Sequence, residues 1–194
     1  MSADVNKQQS WNLRYQHKAI TDPEPVHVLK CNQHLLSGCG SALDLASGLG
    51  GNAVFLAKAG YDVTAVDYSQ VALEKLTRFA EVNKLAITTR LIDLESEPCS
   101  LGCYDLIVVS YYLQRKLFPA IFSAIKTGGL LFYQTFSGDA ENAPGPQNAA
   151  FRLAQAELLT LCSGHELLYY REDPSHCMAE NCLKGEAMIV VKRD

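Results

Sequence analysis

Nowhere does the sequence carry the run of apolar residues that a membrane span needs, and its first residues, MSADVNKQQSWNLRYQHK, contain no apolar h-region. These absences set the expectation of a protein that works in the cytoplasm, away from membranes. Basic residues form no block: 17 Lys and Arg are interspersed with 21 Asp and Glu, for a net charge of −4. Nucleic acid is therefore not an expected partner. Of the 7 cysteines, at 31, 39, 99, 103, 162, 177 and 182, none forms the C-x-x-C pair of a zinc site. Cys99-x3-Cys103 and His176-Cys177-x4-Cys182 are the only local clusters. No metal is expected, and the cysteines read as free, partly buried thiols in a reducing compartment. His165, beside an apolar run, reads as a strand-edge histidine. Internal repeats and low-complexity tracts are missing as well. With 194 residues there is room for one domain and none for a separate substrate domain, while a 48% hydrophobic composition supplies a sizeable core.

What is present centres on Leu43 to Ser69, LDLASGLGGNAVFLAKAGYDVTAVDYS. The apolar run Ser41 to Ala46 predicts a strand, Gly48-Leu49-Gly50-Gly51 a turn, and Ala53, Val54, Leu56 and Ala57 a helix closed by Gly60. Val63 to Val66 predicts a second strand, ending at Asp67. In a parallel βαβ unit both carboxyl ends face one crevice, so the glycine turn and Asp67 border one ligand. Glycines admit close backbone approach, the helix start offers N–H groups, and Asp67 can accept both hydroxyls of a ribose. Two cofactor classes use this layout. The Gly48-x-Gly50-x-x-Ala53 spacing satisfies the dinucleotide pattern. Asp44, four positions before Gly48, favours S-adenosylmethionine, because an acid there meets an ammonium but sits awkwardly beside a pyrophosphate.

On LDLASGLGGNAVFLA and VTAVDYS, the chain resembles the class I S-adenosylmethionine-dependent methyltransferases, in particular their tellurite-resistance and thiopurine-methyltransferase-like branch. The resemblance runs from Trp11 to Lys192. Ala46 stands where the family's Gly-x-Gly-x-Gly turn begins, and an alanine fits there with a negative φ. The Trp-x-x-Arg-Tyr of Trp11 to Tyr15 matches the start of these relatives. It implies that the arm folds over the cofactor, with Trp11 near the sulfonium or adenine and Arg14 reaching a carboxylate. Asp93 stands at the position that meets adenine, through its acid and the backbone N–H of Leu94. Cofactor contacts are thus expected at Trp11, Arg14, Asp44, Ala46, Ser47, Gly48, Asp67, Tyr68, Ser69, Asp93, Leu94 and Ser110.

The remaining segments supply the frame. Val26, Leu29, Cys31, Leu35 and Leu36 predict one helix, so residues 1–40 form an arm and helix that cover part of the cofactor. Ser69 is a plausible N-cap for a helix carrying Val71, Leu73, Leu76, Phe79, Ala80 and Val82. Further strands are predicted at Ile87 to Leu94, Tyr104 to Ser110, Leu130 to Phe136, Leu167 to Arg171 and Ala187 to Lys192. Helices are predicted at Phe118 to Lys126, before a Gly128-Gly129 turn, and at Gln155 to Cys162. The expected fold is α/β and Rossmann-like, the class I methyltransferase fold: a seven-stranded, mostly parallel sheet with helices on both faces, a helix in each of the first five connections, and an antiparallel last strand. Tyr111, Tyr112, Gln114 and Arg115, after the fourth strand, are candidates to position a substrate, and Arg115 to hold an anionic one. Ser137 to Asn148, with Pro144-Gly145-Pro146, is a candidate substrate lid.

The expected activity is methyl transfer to a small-molecule acceptor, a thiol, small acid or chalcogen oxyanion among the options. No catalytic base stands out, and thiolates and oxyanions need none. A nicotinamide-dependent oxidoreductase and a non-catalytic S-adenosylmethionine-binding protein are the alternatives.

Overall fold

The computed structural model describes residues 3–21, 23–96, 101–141 and 143–194. Two compact units divide the chain, Met1–Ser100 and Leu101–Asp194. Seven strands form a sheet in the order β3-β2-β1-β4-β5-β7-β6.

In the first unit, β1 (Ser41–Leu45), β2 (Asp62–Asp67) and β3 (Ile87–Leu91) pair in parallel, Leu45 opposite Val66 and Asp67 opposite Leu91. Four helices accompany them: α1 (Ala3–Gln16), α2 (His27–Cys31), α3 (Gly51–Lys58) and α4 (Gln70–Asn83). The core is apolar where the periodicity placed it: Leu43, Leu45, Ala65 and Val66 from the strands, Leu56 from α3 and Leu76 from α4 are fully buried. Ser69 caps α4 as expected, its hydroxyl accepting from the Ala72 N–H at 3.2 Å. A Cβ on Gly51 would run into the Glu24 carbonyl, so only glycine lets the segment before α2 lie against the start of α3.

Three expectations for this unit need correction. The predicted helix through Leu36 is α2 followed by a separate 3₁₀ turn, Gln33–Leu35, because the Asn32 amide turns back to the Val28 carbonyl (2.9 Å) and ends the α-helical ladder. The third strand stops at Leu91 and not Leu94: the Asp93 carboxylate accepts the Glu95 N–H at 2.9 Å and its carbonyl accepts the Ser96 hydroxyl at 2.7 Å, a local turn in place of ladder bonds. The N-terminal arm is a helix of its own. It lacks glycine and proline and is rich in good helix formers, and Lys75 of α4 donates to the carbonyls of Tyr15 (2.7 Å), Gln16 (2.8 Å) and Lys18 (2.5 Å), satisfying the groups left over at its end.

The second unit holds β4 (Tyr104–Ser110), α5 (Phe118–Ala124), β5 (Ile125–Phe136), α6 (Glu157–Leu161), β6 (Glu166–Asp173) and β7 (Glu186–Lys192). Strands β4 and β5 are parallel, and β7 runs antiparallel to both β5 and β6, as the missing crossover helix predicts. Lying between two strands, β7 is buried along Glu186 to Val191, whereas β6 leaves Leu167 and Leu168 exposed. The expected Phe118–Lys126 helix ends at Ala124, and the predicted Gly128-Gly129 turn lies inside β5, where Gly128 N–H meets the Arg193 carbonyl (2.7 Å) and Arg193 N–H the Gly129 carbonyl (2.9 Å). The helix expected at Gln155 starts at Glu157, after Ala156 in left-handed backbone. Of the five expected crossover helices, none lies between β3 and β4 among the described residues; residues 97–100 are outside them.

The cysteine expectation holds in part. Cys31, Cys39 and Cys103 are exposed free thiols and Cys162 a buried one, but Cys177 and Cys182 form a disulfide, and Cys99 lies outside the described residues. The β6–β7 connection folds back on itself: Arg171 donates to the Asn181 carbonyl (2.5 Å) and Leu183 N–H to the Asp173 carboxylate (2.7 Å), which leaves the two cysteine Cα atoms 6.2 Å apart, within bridging reach. His165, just before β6, packs its ring 4.0 Å from that of Phe122. Among the described residues no helix is long and apolar enough to cross a membrane, and no group of His, Cys, Asp and Glu could hold a metal ion.

Candidate functional site

In the first unit the turn after β1 gathers most of the predicted cofactor residues. Ala46 lies in the left-handed region at φ +58°, followed by Gly48 at +52° and Gly50 at +79°. The negative φ expected for Ala46 is thus wrong. The turn is built for glycine there, and the alanine carries about 1–2 kcal/mol of backbone strain. Asp67 holds the turn: its carboxylate accepts the Gly48 N–H at 2.7 Å and, through the other oxygen, the Ser69 N–H at 2.8 Å. Burial raises its pKa, and those backbone N–H groups with that of Tyr68 work against the rise. With three N–H groups on it, the carboxylate keeps one lone-pair site for a further donor.

Asp44 is fully buried at the end of β1, accepting from the Asn52 amide (3.2 Å) and the Ala53 N–H (3.0 Å). Burial pushes its pKa up to about 7 against those two bonds, with the Asp67 charge adding to the rise. Asn52, which the sequence reading missed, also accepts the Val26 N–H at 2.9 Å and so ties the segment before α2 to Asp44. The Ser47 hydroxyl is buried with no hydrogen-bond partner among the described residues.

The arm reaches this turn through a different residue than expected. Trp11 is over a third exposed, with the Arg14 guanidinium 5.1 Å from its ring centroid and the Tyr15 ring stacked 6.4 Å away. Tyr15 is the one at the turn: a Cβ on Gly48 would come within 2.9 Å of its hydroxyl oxygen. Burial, and then the Asp67 charge, raise the Tyr15 pKa. Asn12, also not foreseen, accepts from the Ser69 hydroxyl (2.9 Å) and the Val71 N–H (3.3 Å), so Ser69 serves the α4 cap and the arm. The Tyr68 carbonyl accepts from Gln8 at 3.2 Å. Asp93 is engaged in its own turn, with Leu94 buried beside it. A single sequence could have suggested Tyr15 and Asn12, one helical turn apart, had the arm been read as a helix.

In the second unit, Ser110 ends β4 and Tyr111 follows in left-handed backbone at φ +53°. The Tyr112 carbonyl accepts the Tyr133 hydroxyl at 2.6 Å, and the Gln114 carbonyl accepts the Leu117 N–H at 3.0 Å. Arg115 is engaged in an ion pair. Its guanidinium forks onto Glu157 (2.5 and 2.9 Å) and donates to the carbonyls of Ala150 and Arg152 at 2.9 Å each, and the pair raises the Arg115 pKa while lowering that of Glu157. The loop expected as a lid is clasped from within. Arg152, 3% exposed, donates to the carbonyls of Ser137 (2.8 Å), Gly138 (2.8 Å), Pro144 (2.9 Å) and Gly185 (3.3 Å), and lies over the Phe136 ring.

The probable S-adenosyl-L-methionine-dependent methyltransferase TehB of Haemophilus influenzae is 32% identical over 147 residues, 72% of this chain and 50% of its own length. The chain thus spans half the length of that relative. The crystal structure of TehB from Haemophilus influenzae superposes with a TM-score of 0.74 at 23% identity, covering 95% of this chain and 67% of that one, a likeness of fold. A shorter match, 36% identical over 67 residues, is to the 23S rRNA (uracil(747)-C(5))-methyltransferase of Pyrococcus horikoshii, over 34% of this chain and 16% of that protein. Residues 7–182 match the family described as tellurite resistance protein TehB, and the chain belongs to that family.

Proposed function

We propose that this chain is an S-adenosylmethionine-dependent methyltransferase of a small-molecule acceptor, working as one catalytic domain in the cytoplasm. The carrying observation is the Ser47 hydroxyl, buried and unpartnered in a left-handed turn that Asp67 pins through the Gly48 N–H. A buried hydroxyl without a partner is costly, and a ligand's polar group relieves it. The residues present fit the cofactor: the remaining lone-pair site of Asp67 suits a ribose hydroxyl, Ser47 and the turn backbone suit the amino-acid end, and the buried Asp44 supplies the negative field an ammonium needs. Trp11, Arg14 and Tyr15 on α1, with the rest of residues 1–40, would cover it. The TehB relative's own name points the same way.

The cofactor supplies a methyl group on a sulfonium, ready for in-line displacement. The chain's part is orientation, and removing translational freedom is a large fraction of such a barrier. Titration calorimetry of the whole chain tests the reading. S-adenosylhomocysteine binds and NAD does not, and Asp67→Asn weakens the binding by about 1.5–3 kcal/mol for a lost charged hydrogen bond. Binding of NAD without S-adenosylhomocysteine would return the glycine turn to the dinucleotide class.

A further inference from the structure

The connection from β6 to β7 brings together Cys177 and Cys182, a pair that methyl transfer does not call for. Only five positions separate the two, so the ring their bond closes is small and restrains little of the unfolded chain. Hydrogen bonds that involve neither sulfur hold the segment. Arg171 donates to the Asn181 carbonyl (2.5 Å), the Asp173 carboxylate accepts the Leu183 N–H (2.7 Å), and the Asp173 carbonyl accepts the Gly185 N–H (3.0 Å). Each cysteine also closes a turn of its own, Cys177 N–H on the Pro174 carbonyl and Cys182 N–H on the Ala179 carbonyl, both at 3.1 Å. The backbone therefore keeps the two side chains within reach of each other whether the sulfurs are joined or apart. Both cysteines are half-buried, and Met178 between them is 87% exposed, so the segment faces solvent. Among the described residues no third His, Cys, Asp or Glu joins the pair into a metal site. Cys31, Cys39 and Cys103, exposed as well, are free thiols in the same chain.

We propose that Cys177 and Cys182 form a reversible thiol–disulfide site, opened by a thiol reductant and closed by a peroxide. The proposal rests on the cytoplasmic reading above: in a compartment that keeps exposed thiols reduced, a disulfide is transient and redox-active, not a fixed brace. In opening, a reductant thiolate attacks one sulfur, the S–S bond breaks, and the other cysteine leaves as a thiolate that takes a proton from water. A second reductant thiolate attacks the mixed disulfide, frees the first cysteine and leaves the reductant as its own disulfide, two electrons having passed to the pair. In closing, one cysteine thiolate attacks a peroxide oxygen, becomes a sulfenic acid and releases hydroxide. The neighbouring thiol then displaces water from the sulfenic acid and the S–S bond forms. The anchored segment matters at this last step, because it holds the second thiol beside the sulfenic acid.

Trypsin cuts after Arg171 and Lys184, so the fragment 172–184 carries both cysteines and no other, and its mass after alkylation reads the state of the pair. The whole chain is treated in turn with reduced glutathione and hydrogen peroxide, alkylated and digested. Glutathione, to which structural disulfides are resistant, is expected to give a fragment with two alkyl groups. One equivalent of peroxide should then return the fragment to its unalkylated form at least tenfold faster than it blocks Cys31, Cys39 or Cys103, with circular dichroism the same in both states. In Cys182→Ser and Cys177→Ser the remaining thiol has no partner, so at least one of the two should collect a sulfenic acid that dimedone traps, tenfold above the wild type. A fragment that stays closed in excess glutathione, closure no faster than the loss of the other thiols, or equal trapping in the wild type and both variants would each overturn the proposal. Cys31, Cys39 and Cys103 found oxidised in chain quenched directly from its cells, with the fragment still opened by glutathione and closed by peroxide, would keep this site and remove the cytoplasmic reading.

Discussion

Asp44 should leave its signature on the pH dependence of stability. Its carboxyl is fully buried, and burial lifts its pKa from the ordinary 3.8 to about 7. Between those two values the folded chain holds a proton that the unfolded chain gives up. The sign follows: the contribution is fully present below pH 3.8, and stability falls as pH rises toward 7, where Asp44 finally ionises in place. About three pH units at about 1.4 kcal/mol each put the fall at no more than about 4 kcal/mol. Asp67, raised by burial as well, tilts the profile the same way, so the two must be separated. Asp44→Asn does so: the amide keeps an acceptor for Ala53 N–H or Asn52 and carries no proton to lose. Urea unfolding at about pH 5 and about pH 7.5 should show the wild type losing about 2–3 kcal/mol more than the variant between the two conditions. Parallel profiles would mean that Asp44 is ionised at ordinary cost, and the argument from burial would fail. On the proposed reading, in which an ammonium meets Asp44, S-adenosylhomocysteine binding should restore the charge, so binding near pH 6 should release a proton, visible as a buffer-dependent heat.

Ala46→Gly should relieve about 1–2 kcal/mol of left-handed strain while costing about 0.5–1 kcal/mol of chain entropy, a net gain of up to about 1 kcal/mol, or about 2–4 °C in calorimetric Tm. An unchanged or lower Tm would show that the alanine is not strained at φ +58°. Lys75→Met removes the donor shared by three carbonyls at the end of α1, worth about 1 kcal/mol locally. Amide exchange across residues 7–16 should speed up and Trp11 emission shift to the red, with the global Tm nearly constant; protected amides would place the anchor of α1 elsewhere.

How much of this was legible follows from the range of the interactions. Periodicity marks β1, α3, β2 and α4 because each buries one repeating face, and the glycine turn with Asp44 and Asp67 lies in a short stretch between them. The antiparallel β7 was legible too, since a missing crossover helix leaves no other way back. Element ends were less so: Leu91 and Ala124 end their elements because of a side-chain turn at Asp93 and a pairing of Tyr104 with Ile125, neither of which shows in periodicity. The polar groups of the second unit were the hardest to read, because their partners are remote in sequence. Tyr111 and Glu186 are 75 positions apart, Arg115 and Glu157 42, and Gly185 and Arg152 33. An arginine after a strand looks the same whether it waits for an anion or holds a turn, and only the fold decides. That is why the pairing of Arg115 with Glu157 was not visible in the sequence. The acid that does face Tyr111 was read past as the residue before an apolar strand. A buried acid at a strand's first residue has no packing reason to be there, and this is the signal that would have found Glu186: an acid followed by five residues that all belong in the core, set beside a tyrosine already expected at the end of β4.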